Sequence, residues 1–140
     1  MAKSGPIVVV EDDKDDQEII REVLKDLRVP NKLVLFEKSR AALQYLKTTS
    51  DQPFIIICDV NLPQENGLEF KHLIDSDPDL RRRSIPFIFF STSVSQNSVN
   101  IAYTKMTVQG FFQKAGTYDE VKNLLKVILG YWSDCKHPNT

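Results

Sequence analysis

The sequence predicts an α/β domain, with a parallel five-stranded sheet and helices on both faces. Short unbroken apolar runs, rich in β-branched residues, read as strands buried on both sides. Longer segments between them carry apolar residues at helical spacing. The two patterns alternate five times, at intervals of roughly 25 residues, which is the signature of repeated βα units.

The first strand is the IVVV run, Ile7–Val10. Ile19, Ile20, Val23, Leu24 and Leu27 then lay one apolar stripe along a helix, closed by Pro30 and Asn31. Leu33–Phe36 is the second strand. Ala41, Ala42, Tyr45 and Leu46 mark the second helix, with Ser39 as its expected cap. Residues 54–58 (FIIIC) form the third and strongest strand. Leu68, Phe70, Leu73 and Ile74 mark a short helix, and residues 78–84 read as a polar loop. The fourth strand covers residues 85–90, with Pro86 tolerable near its start. A weaker helical stretch over residues 96–106 precedes the fifth strand, Gly110–Gln113. Val121, Leu124, Leu125, Ile128 and Trp132 give the last amphipathic helix. The reading is one domain over residues 1–140, with its core at about 6–132 and a polar tail, 133–140, expected to fray.

Composition narrows the function. The 140 residues carry a net charge of −1, so no global basic field exists to hold nucleic acid or an anionic membrane. The one basic run, Arg81, Arg82 and Arg83, follows Asp75, Asp77 and Asp79 and reads as solvated. No apolar run approaches the roughly 20 residues of a membrane span, and no secretory signal is visible at the N-terminus. Cys58 and Cys135 read as free thiols of a reducing compartment, so the expected location is the cytoplasm. His72 and His137 receive no role.

In an open parallel sheet, ligands bind beyond the carboxyl ends of the strands. Glu11, Asp12 and Asp13 follow the first strand, Asp59 the third, Ser91 and Thr92 the fourth, and Lys114 the fifth. Acidic oxygens, hydroxyls and one ammonium suit a magnesium ion and a phosphoryl group. The cation relieves the repulsion among crowded carboxylates, and the lysine and hydroxyl stabilise phosphoryl oxygens. Each residue alone has a plainer reading. The acidic run is equally a helix cap, Asp59 a turn residue before Asn61 and Pro63, Ser91 a loop hydroxyl and Lys114 a surface lysine. Their joint placement after different buried strands, on one edge, points to a site.

These segments resemble response-regulator receiver domains. The resemblance rests on VVVEDD at residues 8–13, IIICDVNLPQENGL at 55–68, IPFIFFSTS at 85–93 and GFFQK at 110–114, which span nearly the whole chain in order. It implies a flavodoxin-like, doubly wound (βα)5 sheet of strand order 2-1-3-4-5. It also implies a phosphorylation switch, not an enzyme acting on a separate substrate, and no output domain. Asp59 would accept the phosphoryl group of a sensor histidine kinase. Glu11, Asp12, Asp59 and the Asn61 carbonyl would hold Mg2+. Ser91 and Lys114 would bind phosphoryl oxygens. Phe111 would change rotamer with Ser91, and Pro63 and Gly67 would shape the adjoining loop, Gly67 through a backbone conformation other residues resist. Output would pass through a protein partner, a phosphotransfer protein or a homodimer, by a face that includes Tyr103 and Phe111. The segment 76–87 resembles the loop of single-domain regulators paired with bacterial phytochromes, which implies a phytochrome-type kinase.

The chain departs from the family pattern in two places. Ala115 replaces the usual proline after the lysine, and Thr92 is larger than the usual residue after the switch hydroxyl, where it would narrow access to the phosphoryl group. Two rival readings remain at this point. One is a non-phosphorylated interaction module, which retention of both acid and lysine argues against. The other is an aspartyl-phosphate hydrolase, for which Asn61 stands where a second catalytic acid is usual and the chain is short for a large cap.

Overall fold

The structure, a computed structural model, describes residues 2–62, 64, 66–92, 94–114 and 116–139. A 3-10 turn at Ala2–Ser4 leads into the elements β1 (Ile7–Val10), α1 (Lys14–Asp26), β2 (Leu33–Phe36), α2 (Ser39–Thr48), β3 (Ile55–Cys58), α3 (Gly67–Ser76), α4 (Pro78–Arg83), β4 (Phe87–Ser91), α5 (Gln96–Lys105), β5 (Gly110–Gln113) and α6 (Tyr118–Asp134). The strands form one sheet of order β2-β1-β3-β4-β5, every neighbouring pair parallel. This is the flavodoxin-like arrangement.

The unbroken apolar runs have their cause in burial on both faces. Ile7, Val9, Ile55, Ile57, Ile88 and Phe90 point to the side covered by α1 and α6. Val8, Val10, Ile56, Cys58, Phe87 and Phe89 point to the side covered by α2, α3, α4 and α5. Register then levels the strand ends. Val10 lies opposite Phe36 and Cys58, Cys58 opposite Phe89, and Phe89 opposite Phe111.

Several segments differ from the sequence reading, β4 among them, which runs from Phe87 to Ser91 and not over residues 85–90. Residues 78–83 are helix α4, not loop. Asp77 caps it by accepting from Asp79 N and Leu80 N, Pro78 occupies its first turn, and Leu80 is buried. An acid followed by proline is a helix start as well as a turn signal. Within the basic run, Arg83 is not simply solvated. Its guanidinium donates to the carbonyls of Leu46 at 2.8 Å and Asp51 at 2.6 Å. At α2, Lys38 occupies the cap position without a side-chain bond, and Ser39 is the first helical residue and buried.

The described part of the tail is docked, not frayed. His137 is 1% exposed, stacks on Phe54 and has Nε2 2.8 Å from the Phe54 carbonyl. Its Nδ1 accepts from Asn139 N, and the Asn139 amide donates to the Arg83 carbonyl. Polar composition concealed this, because the polar atoms serve backbone groups at the opposite end of the sheet from the acidic residues.

Lys71 is a buried cation inside α3. Its Nζ lies 2.9 Å from Asp75 Oδ1, 3.0 Å from Thr107 Oγ1 and 4.9 Å from the Phe87 ring centroid. Asp75 also accepts from Thr107 N and Oγ1. Asp75→Ala strands a buried ammonium and is expected to cost about 3 kcal/mol. Lys71→Met keeps the packing, leaves Asp75 bonded to Thr107, and should cost about 1 kcal/mol or less. Urea unfolding of the two variants checks the order, and equal losses would contradict it.

Candidate functional site

The main-chain ladder carries the candidate site residues into place. Glu11 N donates to Phe36 O at 2.9 Å, Asp59 N to Val10 O at 3.0 Å, and Lys114 N to Ser91 O at 2.8 Å. Each residue thus continues its strand by one position, and their side chains converge at the carboxyl edge. Carboxylate oxygens of Glu11, Asp12 and Asp59 all lie within 4.8 Å of one another. Glu11 and Asp59 are buried, whereas Asp12 faces solvent. Such a set of hard oxygens, open on one side, suits a divalent cation that keeps some of its water.

Asp13 does not join them. Its carboxylate caps α1, accepting from Asp15 N at 2.8 Å and Asp16 N at 3.0 Å. The acidic run therefore divides between the site and a helix cap.

Asp59 Oδ1 accepts from Ser91 Oγ at 2.6 Å and from Asn61 N at 2.9 Å. The Asn61 side-chain amide donates to Ser91 Oγ at 3.2 Å. The expected role of Asn61 used its carbonyl, and its amide contacts to Asp59 and Ser91 were not foreseen. Lys114 Nζ contacts Glu11 Oε1, lies 3.1 Å from Asp16 Oδ2 and 3.5 Å from Asp59 Oδ2. Asp16 was missed by sequence reasoning, and so was Gln17, whose amide donates to the Glu11 carbonyl at 2.6 Å. The available signal was an acidic run continuing into the first turn of α1, where a side chain can face back toward the strand ends.

Other expected residues sit around this centre. Phe111 is half-buried with its ring 5.3 Å from that of Phe89, behind the site. Thr92 is exposed. Gly67 is buried beneath Asp59, and its backbone is not left-handed, so the expected special conformation is absent. A Cβ there would lie 2.3 Å from Asp59 O, so space is what requires glycine. Pro63, Ser93 and Ala115 lie outside the described residues.

Electrostatics follow from crowding. Burial, helped by the charge of Asp59, pushes the Glu11 carboxyl up to about 7 against the pull of Lys114. Burial opposes the Lys114 ammonium, but Glu11, Asp59 and Asp16 outweigh it and hold its pKa above the ordinary lysine value. Because the folded value of Glu11 exceeds its ordinary 4.5, the folded state binds the extra proton between those limits. That contribution to stability is complete below about 4.5 and is lost as pH rises through about 7. The metal-free wild type should therefore lose stability across this window relative to Glu11→Gln. Urea midpoints measured in chelator across the window check this, and parallel profiles would refute it.

Comparison with known proteins agrees with this geometry. Residues 7–126 match the family model described as the response regulator receiver domain. The chain belongs to that family, whose members act in two-component signalling. It is 29% identical over 131 residues to response regulator Rcp1 of Synechocystis sp., covering 90% of this chain and 87% of the relative. It is 30% identical over 124 residues to the chemotaxis protein CheY1 of Helicobacter pylori, covering 89% of this chain and 96% of the relative. The crystal structure of the phosphorylated cyanobacterial phytochrome response regulator RcpA superposes with a TM-score of 0.85 at 29% identity, over 95% of this chain and 97% of that one. The Mn2+-bound form of Rcp1 superposes with a TM-score of 0.82 at 28% identity, over 95% and 98%. Among the described residues, no helix is long and apolar enough to cross a membrane.

Proposed function

We propose that this protein is a phosphorylation switch in which Asp59 takes a phosphoryl group from a phosphohistidine of a sensor histidine kinase. The observation that carries the reading is the convergence on one carboxylate. Asp59 has the Ser91 hydroxyl at 2.6 Å on one oxygen and the Lys114 ammonium at 3.5 Å from the other, with Glu11 and Asp12 alongside. A lone turn aspartate requires none of these neighbours.

In the transfer, a carboxylate oxygen of Asp59 attacks phosphorus as the phosphorus–nitrogen bond to the donor imidazole breaks. Glu11, Asp12, Asp59 and the Asn61 carbonyl would hold Mg2+, which neutralises their charge and that of the phosphoryl oxygens. The manganese-bound form of Rcp1 supports a divalent ion at an acidic site of this kind. Ser91 turns its hydroxyl from Asp59 Oδ1 to a phosphoryl oxygen, and Lys114 pairs with another. The hydroxyl's departure lets Phe111 change rotamer behind it. The altered face of β5 and its flanking helices, where Tyr103 is 53% exposed, then binds a protein partner, a phosphotransfer protein or a second copy.

The protein catalyses only its own phosphorylation and dephosphorylation. Its similarity to Rcp1 and to the phytochrome response regulator RcpA favours a phytochrome-type kinase as donor. Two free cysteines fit work in the cytoplasm.

The test is intact mass after incubation with acetyl phosphate, with Mg2+ or with chelator, alongside release of inorganic phosphate. One adduct that needs Mg2+, or Mg2+-dependent phosphate release from a short-lived adduct, is expected. Folded protein that shows neither would overturn the proposal.

A further inference from the structure

We propose that Asp16 is a positioning residue that competes with the phosphoryl group for the Lys114 ammonium, and so limits how firmly the phosphorylated state is held. This inference rests on Asp59 being the phosphoryl acceptor.

An ammonium has three N–H groups, and Lys114 faces three carboxylates: Glu11 Oε1, Asp16 Oδ2 at 3.1 Å and Asp59 Oδ2 at 3.5 Å. Glu11 and Asp59 belong to the acidic cluster with Asp12, and Asp16 does not. It projects from the first turn of α1, a turn fixed by the Asp13 cap, which accepts from Asp16 N itself. When a cation and a phosphoryl group take over Glu11 and Asp59, the bond from Lys114 to Asp16 is the one that neither of them claims. It draws the ammonium toward α1 while the phosphoryl oxygen draws it toward β3.

Both consequences of removing the Asp16 charge have the same sign. Lys114 becomes free to close on the phosphoryl oxygen, and one negative charge near that anion disappears. The Asp16 side chain is 31% exposed, so water screens it and the effect is moderate. A two- to fivefold change, about that of a partly exposed ion pair, is expected.

Beryllofluoride, a phosphoryl mimic, is titrated by calorimetry at saturating Mg2+ into wild type, Asp16→Asn, Lys114→Met and the double variant. Asp16→Asn should bind the mimic about two- to fivefold more tightly, and most of that gain should vanish in the Lys114→Met background, where only the direct repulsion between Asp16 and the anion remains to be relieved. In metal-free protein, the Lys114 ammonium resonance in proton–nitrogen NMR should shift in Asp16→Asn while the backbone amides of the core hold their positions. Unchanged affinity in Asp16→Asn, or a gain undiminished in the absence of Lys114, would overturn the role given to Asp16. Wild type that takes no beryllofluoride would overturn the phosphoryl reading itself.

Discussion

Asp59→Asn protein should fold and take up no phosphoryl group from acetyl phosphate under conditions where wild type does. Asparagine matches aspartate in shape, and its Oδ1 can still accept from Ser91 Oγ and Asn61 N, now 2.6 and 2.9 Å away. What changes is the other terminal atom. The oxygen that lies 3.5 Å from Lys114 Nζ becomes an amide NH2, so two donors face each other. The amide also lacks the anionic oxygen that attacks phosphorus, because its nitrogen lone pair is delocalised into the carbonyl. Loss of a nucleophile removes uptake by roughly a thousandfold or more, not by a graded amount. Intact mass reads the result directly. An adduct that survives in this variant would place the acceptor elsewhere, and the exposed Asp12, in the same acidic cluster, would be the first residue to replace.

The framework of this fold was legible because its causes are local. β1 and β3 are buried along their whole length, so their sequences had to be unbroken apolar runs. The edge strands are less covered. β2 is half-buried throughout, and β5 is fully buried only at Gly110, yet their short apolar runs sufficed between strong neighbours. The placement of Glu11, Asp59, Ser91 and Lys114 was legible for the same reason, since each stands at a strand end. Parallel register then turns four separated positions into one cluster.

What escaped notice depends on contacts between distant segments. Lys71 sits on a helix where a lysine ordinarily faces water, and Thr107 and the Phe87 ring, both far away in sequence, join the nearby Asp75 around its ammonium. His137 gains its place from Phe54 and from the backbone it serves. Asp16 stands in the first turn of α1, where nothing local in the sequence shows the lysine arriving from the end of β5. Helix α4 was missed for another reason. Proline and three arginines weigh toward loop on composition, while the cap and the buried Leu80 decide the conformation.

Gly67→Ala should destabilise the protein by about 3 kcal/mol and slow phosphoryl uptake as well. Glycine is needed here because two main chains meet. Gly67 opens α3, and its N–H donates to Val60 O at 2.8 Å. A Cβ at this position would stand 2.3 Å from Asp59 O, 3.0 Å from Val60 Cα and 3.1 Å from Asp59 C. All three are backbone atoms, so no side chain can rotate away to make room. Either the start of α3 retreats and breaks its bond to Val60, or the chain at Asp59 moves. The first outcome opens packing around Phe70 and Ile74, which are buried on the same helix. The second displaces Asp59, the proposed acceptor, from Ser91 and Lys114, and a shift of about 1 Å at a reacting group can cost on the order of a hundredfold in rate. Urea unfolding reads the stability, and the rate of adduct formation reads the geometry. A large loss of stability with normal uptake would mean that α3 gives way and Asp59 holds. Near-normal stability with slow uptake would mean the reverse. Wild-type values in both would show that the contact between α3 and β3 is far looser than a 2.3 Å clash allows.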